Sequence, residues 1–370
     1  MDELNESMMS LPENAEGEVV KTSEEKTKTT KKKMKKSTKV ILIISCCILA
    51  LLLAFLIAAK IVLSKVNRNL DQTVLSNEEI EAIKNETDPI DPGFEGPILN
   101  SDEVEMPDVP AQKLEESDEI VNILLVGQDR RSGQSRQRSD SMILCTINKK
   151  TKTITLTSFM RDLWVRIPEY FDERLNVPYA IAGYSLLNDT LEYNFGVRAD
   201  HIIEVDFTGF ENVIDTIGGV TVTLTGAEAW YMNKVGKGDW SFDAGTYTLN
   251  GKQALAYSRN RSTDNDFNRT NRQRIVLNAL MEKMRGLSTV QLLQLANELI
   301  PFVTTDMTDS EIIGYVFSLA PVLAEANMVS QRIPVDGAYS FAFIDGKSVI
   351  LMYPEDLETN KQLLKDTLGE

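Results

Sequence analysis

The chain is short of the residues that staple small secreted folds or run most hydrolytic chemistry. It has three cysteines in 370 residues, and two of them, Cys46 and Cys47, fall inside one apolar run. Cys145 remains, in the alternating stretch 142–147, where it reads as a small buried apolar residue. No intramolecular disulfide is available outside the apolar run, so stability must come from a hydrophobic core. An apolar content of 42% allows one. There is a single histidine, His201, at the end of a loop before an apolar strand, where a structural hydrogen bond outweighs catalysis. The sequence contains no Ser-His-Asp set, zinc-ligand cluster, P-loop, GxGxxG or internal repeat, which removes support for hydrolase triads and nucleotide chemistry.

Long hydrophobic runs are also scarce, and the one present is decisive. Residues 40–59, VILIISCCILALLLAFLIAA, carry no charge. At about 1.5 Å per residue such a helix spans roughly 30 Å, the hydrocarbon thickness of a bilayer. A cleaved signal peptide fits poorly, since a 39-residue tail precedes the run and no A-x-A site follows it. A faint lipoprotein box at 43–46 would leave most of the run unexplained. Eight lysines and no acid between residues 26 and 39 hold the N-terminus in the cytoplasm. The expected organisation is therefore a disordered cytoplasmic tail (1–39), a transmembrane helix (40–63), an acidic extracellular linker (64–119) and an extracellular catalytic domain (120–370) at the cell membrane. Residues 71–119 hold sixteen acids against two lysines, with five prolines, and read as an extended stalk with room for a short helix at 77–84.

From Ile120 the pattern is globular. Apolar runs at 123–126, 142–147 and 154–159 read as strands, followed by a helix at 176–195, a strand at 201–207 and a helix at 209–217 that stops at Gly218-Gly219. A strand at 220–224, an exposed loop at 231–245, helices at 270–284, 290–303 and 310–325, and a closing strand and helix within 347–368 complete it. Alternating strands and helices predict a single αβα domain, a mixed sheet flanked by helices.

Three clusters carry chemistry. The first is the loop after strand 123–126, with Asp129 and Asp140 enclosing Arg130, Arg131, Arg136 and Arg138. Carboxylates hold a hard cation such as Mg2+, and guanidinium forks match phosphate oxygens. The second is Arg161-Asp162, directly after strand 154–159; such a pair alone is more often a structural salt bridge. The third is Arg259, Arg261, Asp266, Arg269, Arg272, Gln273 and Arg274, with five arginines in sixteen residues and no lysine, in a chain of net charge −16. A solvated face would mix in lysine. Arginine alone indicates oxyanion recognition. Arg269, Arg272 and Gln273 share one face where a helix begins, and that end of the helix also favours an anion. Nucleic acid is excluded as a partner by the outside placement.

The segments NILLVGQDRR, RSDSMIL, TLTSFMRDLWVRIP, RLNVPYAIAG, ADHIIEVDFTGFENVIDTIGGVTV, LNGKQALAYSRNR and DFNRTNRQ, in this order, resemble the LytR–CpsA–Psr (LCP) family of cell-envelope proteins. The resemblance implies a phosphotransferase that moves a glycopolymer (teichoic acid, capsule or another wall polysaccharide) from a polyprenyl pyrophosphate carrier to peptidoglycan. It implies Asp129 and Asp140 as ligands of Mg2+, or Mn2+ in its place. Arg138, Arg161, Arg259, Arg261, Arg269 and Gln273 become the pyrophosphate-facing set, with Asp162 orienting Arg161. The family pattern has proline where Met160 stands, and smaller residues at Val177-Pro178. The polyprenyl chain calls for a long apolar pocket, with the apolar residues of 179–191 and 275–287 as expected lining. A lipid-pyrophosphate phosphatase and a non-enzymatic envelope regulator are the alternatives. The short polar tail offers no helix-turn-helix for the latter to bind DNA directly.

Overall fold

The structure is a computed structural model that describes residues 67–114, 117–128, 136–263 and 265–369. The expected membrane span lies outside the described residues, as does Asp129. Among the described residues no helix is long and apolar enough to cross a membrane.

In chain order the elements are α1 (Asn77–Lys84), β1 (Ile98–Leu99), β2 (Ile120–Gln128), β3 (Ser139–Asn148), β4 (Thr153–Phe159), β5 (Trp164–Arg166), β6 (Asp172–Arg174), α2 (Val177–Phe195) and β7 (His201–Asp206). There follow α3 (Phe207–Thr216), β8 (Val220–Leu224), α4 (Gly226–Gly236), β9 (Gly245–Leu249), α5 (Gly251–Arg259), α6 (Asp266–Arg285) and α7 (Thr289–Leu299). The last are β10 (Thr304–Thr305), α8 (Asp309–Glu325), β11 (Asn327–Ile333), β12 (Ser340–Ile344), β13 (Lys347–Leu351) and α9 (Pro354–Leu368).

Six strands form the central sheet in the order β10-β7-β2-β3-β4-β11. β2 runs parallel to β7 and β4 parallel to β11, while β2-β3, β3-β4 and β7-β10 are antiparallel, so the sheet is mixed as expected. Both faces are covered, so the residues of β4 are buried on either side of the sheet, Thr155, Thr157 and Ser158 included. On one face Leu124, Val126, Met142, Leu144 and Phe159 pack against α2 and α9 through Leu187, Leu191, Phe195, Leu357 and Leu364. On the other, Ile123, Ile143, Cys145, Ile154 and Leu156 meet α6 and α8 through Leu277, Met281, Ile312 and Leu319. Cys145 is buried, and burial pushes its thiol up to about 12, so it is inert packing.

Two expectations fail. The stalk does not stand free over its described part. α1 is capped by Ser76, and β1 adds in parallel to β12. Asn67 bridges to Thr304, and Leu75 N–H donates to Ile181 O. Charge repulsion is overridden because particular acids find particular cations, such as Asp88 with Arg174 at 2.9 Å. Likewise the expected loop at 231–245 is helical in its first part, where α4 has a capping box between Thr225 and Glu228 and buries Ala229 and Met232.

Candidate functional site

The C-terminal ends of β2, β4 and β7, together with the start of β3, converge on a cavity of about 280 Å³. Its polar mouth holds Asp140, Arg161, Asp206, Arg259, Arg261, Arg269 and Gln273, and its depth is apolar, with Leu125, Ile143, Phe207, Phe210, Leu255 and Leu277. Helix termini aim the charges. α6 starts at Asp266 behind the Asn265 cap, earlier than periodicity suggests, so Arg269 falls in its first turns and Gln273 one turn on. α5 ends at Arg259, and α3 starts at Phe207 behind Asp206.

The arginines share carboxylates. Arg161 Nη1 donates to Asp140 Oδ1 at 2.9 Å, and its Nε lies 3.4 Å from Asp162 and 3.9 Å from Asp266. Arg261 reaches Asp140 at 3.8 Å and Asp266 at 3.4 Å, and Arg269 grips Asp266 at 2.7 and 2.9 Å. Burial alone would lower the Arg161 pKa, but Asp162, Asp266 and Asp140 outweigh it and hold that pKa above the usual value. Arg269 goes the other way, lowered chiefly by burial with Arg261 and Arg161 adding repulsion. Cations crowded this way are stabilised by an arriving anion. Arg259 lays its guanidinium 4.1 Å from the centre of the Phe207 ring, at the join between mouth and apolar depth. Gln273 accepts a hydrogen bond from Ser141 at 3.0 Å, which fixes its amide.

Of the residues picked from sequence, Asp140, Arg161, Arg259, Arg261, Arg269 and Gln273 meet at the cavity. Asp162 stands behind Arg161, and burial, with Asp266 nearby, raises its carboxyl pKa above the ordinary range despite Arg161. Arg138 is not in the cavity lining; it pairs with Glu86 at 2.5 Å, a partner supplied by the packed acidic segment. Arg136 is a structural staple: its guanidinium donates to the carbonyls of Thr73, Ala180 and Ile181. It does so where α2 kinks at Ala182-Gly183, with Gly183 at φ 73°; a side chain there would meet Asp71 O at 2.6 Å. Arg272 leaves the Arg269–Gln273 face for Glu228, at 2.6 Å. His201 sits at the opposite end of β7, with its Nδ1 3.4 Å from Asp306, away from the cavity.

The expected apolar lining is corrected too. Leu277 faces the cavity, but no residue of 179–191 does, because α2 packs on the other face of the sheet. The lining comes instead from β2, β3, α3 and α5. Asp206 and Phe207 were missed as site residues. Their signal was position: an acid and an aromatic where an apolar strand ends and a helix starts.

Fold and cavity define a class of α/β protein that presents clustered guanidiniums above an apolar chamber at the rim of its sheet. The chain belongs to the LytR_cpsA_psr family, whose model matches residues 95–366. It is 32% identical over 258 residues to the regulatory protein MsrR of Staphylococcus aureus, covering 69% of this chain and 76% of MsrR. It is 40% identical over 172 residues to the polyisoprenyl-teichoic acid–peptidoglycan teichoic acid transferase TagU of Bacillus licheniformis, covering 46% of this chain and 54% of TagU. Bacillus subtilis TagT bound to LIIa-WTA superposes with a TM-score of 0.58 at 27% identity, over 72% of this chain and 100% of that one. TagT has also been solved with bound octaprenyl pyrophosphate lipid (TM-score 0.54, 26% identity, 72% and 100% coverage).

Proposed function

We propose that this chain is a membrane-anchored, Mg2+-dependent phosphotransferase that moves a glycopolymer from a polyprenyl pyrophosphate carrier to peptidoglycan. The observation that carries the proposal is the junction in one cavity of four arginines with an apolar floor, a match for a diphosphate esterified to a lipid. The names of TagU and TagT and the lipid in TagT support the same reading. At about 280 Å³ the cavity has the volume of a small ligand site, so it takes the diphosphate and the first isoprene units rather than a whole polyprenyl chain.

Asp140 offers hard oxygens at the mouth, with its side chain 31% exposed, and together with Asp129 would hold Mg2+ alongside substrate phosphate oxygens. When bound, the ion neutralises diphosphate charge. The chain's own residues do the rest. Arg161, Arg261 and Arg269 orient the two phosphoryl groups and stabilise the charge that builds on the leaving lipid phosphate. Asp266 and Asp162 keep those forks aimed. Peptidoglycan supplies the hydroxyl, outside the cell, where the donor must arrive already activated.

The test is transfer from a lipid-linked polymer to peptidoglycan oligomers. Arg161→Ala should lower kcat/KM by about 10²- to 10³-fold, the cost of one preorganised oxyanion donor, and Arg161→Lys should rescue little because the fork is lost. A covalent polymer–glycan product separates transfer from phosphatase action. Retention of full activity by Arg161→Ala would refute the proposal.

A further inference from the structure

We propose that Gln128 is a positioning residue: it holds the β-bulge that presents Asp140 to the guanidinium cluster, an inference that rests on the phosphotransfer reading above. Gly127 pairs with Ser141, as an unbroken antiparallel ladder requires, but Gln128 pairs with Ser139 and not with Asp140. Asp140 is therefore the extra residue of a bulge. Along β3, Ser141, Ile143 and Cys145 face α6 and α8, whereas Met142 and Leu144 face α2. Strict alternation would send Asp140 to the α2 side with Met142. With the bulge, Asp140 and Ser141 are consecutive and both line the cavity. Asp140 accepts from Arg161 at 2.9 Å, and Ser141 donates to Gln273 at 3.0 Å. One inserted residue puts a carboxylate beside a hydroxyl where alternation allows only one of them.

The bulge is tied down on the face away from the cavity. Gln128 is 0% exposed there, in line with Leu124 and Val126, at a position where an apolar side chain would be the ordinary choice. Its Oε1 accepts the Gln137 N–H at 2.9 Å, and its Nε2 donates to the Tyr179 hydroxyl at 3.4 Å. Tyr179 in turn donates to Glu204. These bonds run in one direction only. A backbone N–H can only donate, so Oε1 faces Gln137. Nε2 then meets the phenol oxygen, and the phenol proton goes to Glu204. Tyr179 and Glu204 are themselves buried, so the whole run is fixed in the interior.

An amide held at both ends pins Gln137 against the end of β2, three residues before Asp140. Arg136, one residue earlier, is fastened to the Ala180 and Ile181 carbonyls of α2. Without the Gln128 bond the ladder can slip by one residue, setting Gln128 against Asp140 and turning that carboxylate away from Arg161.

Gln128→Met in the full-length chain in detergent tests this, since methionine keeps the length and loses both hydrogen bonds. Mn2+ binding in the presence of octaprenyl pyrophosphate is followed by the EPR signal of the free ion. Amide exchange is read on the peptide spanning 137–141, and transfer gives kcat. Mn2+ affinity and kcat should each fall about 10- to 100-fold, the usual effect of losing a partner behind a metal ligand. Exchange at Gln137 should quicken, and metal-free affinity for octaprenyl pyrophosphate should stay as in the parent. Unchanged Mn2+ affinity in a variant whose Gln137 exchange has quickened overturns the assignment, because the bond is lost and the site has not moved. Equal losses of Mn2+ affinity and metal-free lipid affinity also overturn it, as the mark of general collapse. If Gln128→Met does not fold, Tyr179→Phe decides. It keeps the Gln137 bond but strands Gln128 Nε2, so Mn2+ affinity should fall by a smaller factor, and an unshifted affinity overturns the proposal. A parent that binds Mn2+ but transfers nothing to peptidoglycan oligomers removes the transfer reading alone, and the Mn2+ and exchange results still decide Gln128. A parent that binds no Mn2+ overturns both.

Discussion

Two sets of arginines in this molecule look alike in sequence and do opposite things. Arg161, Arg261 and Arg269 share Asp140, Asp162 and Asp266 among them, with Asp140 and Asp266 each divided between two or more guanidiniums, and all three arginines still line an open cavity. Arg136 and Arg272 are enclosed instead. Arg136 spends its donors on backbone carbonyls, and Arg272 on Glu228 and the Asn260 carbonyl. The first set holds unspent attraction for an anion; the second has converted it into fixed geometry. Density of arginine along the chain marks both. Only the way donors are distributed in space tells them apart.

The sharpest way to test this contrast is to remove one member of the inward set. The Arg272 and Glu228 side chains are 3% and 10% exposed and 2.6 Å apart. Arg272→Met strands a buried carboxylate and should cost about 3–5 kcal/mol of stability, the usual penalty for breaking a buried pair. Urea unfolding measures it. The surviving folded fraction should keep its affinity for octaprenyl pyrophosphate. A variant that folds as well as the parent but no longer binds the lipid would move Arg272 into the binding set and dissolve the distinction.

The contrast also shows what the sequence could reveal. Four strands of the central sheet, β2, β3, β4 and β7, were legible from their apolar and β-branched runs, and so were α1, α2, α3 and α6 from periodicity and end signals, whereas the edge strands β10 and β11 were missed. The site arginines could be gathered by composition, since lysine was absent where solubility would have tolerated it. What escaped depended on partners distant in sequence. Arg138 was assigned to the diphosphate, and nothing nearby announces Glu86, which claims it. The acidic segment was read as a stalk from its average charge, whereas Asp88 and Arg174 act as individuals. α4 was lost for a different reason. Glycine and tryptophan suggested a loop, yet the Thr225 and Glu228 pair that starts the helix was there to be read. Asp206 was passed over because an acid at a strand end has an ordinary capping role, which it also plays here, with its Oδ1 accepting from Gly209 N–H.

A second, smaller effect probes the apolar half of the site against its charged half. Leu255 lines the chamber from α5, and a tryptophan there would fill space meant for the first isoprene units. Leu255→Trp should weaken octaprenyl pyrophosphate binding by at least about tenfold, or 1.4 kcal/mol. Inorganic pyrophosphate, which needs only the arginines, should bind as before. Titration of both ligands separates the halves. Equal loss for both would mean that the chamber and the guanidinium cluster are not independent contributors.

The smallest effect contrasts the two ends of β7. Asp206 stands at the cavity end, with no ion pair among the described residues. At the far end, His201 Nδ1 lies 3.4 Å from the Asp306 carboxylate, which, against partial burial and with Glu311 and Asp200 assisting, raises the imidazole pKa above its ordinary value. A raised folded-state pKa means the charged form favours the fold. That stabilisation is complete below the unfolded value of about 6.5 and fades as the pH climbs through the folded one. His201→Asn should therefore melt below the parent in acid, and the gap in Tm should close as the pH rises. Because the imidazole is only partly screened from water, the gap should amount to a degree or two, roughly the scale of an exposed pair. Transfer activity should be unchanged at every pH. A pH-dependent loss of activity in His201→Asn would tie the remote end of the strand to the cavity and make β7 a conduit rather than a brace.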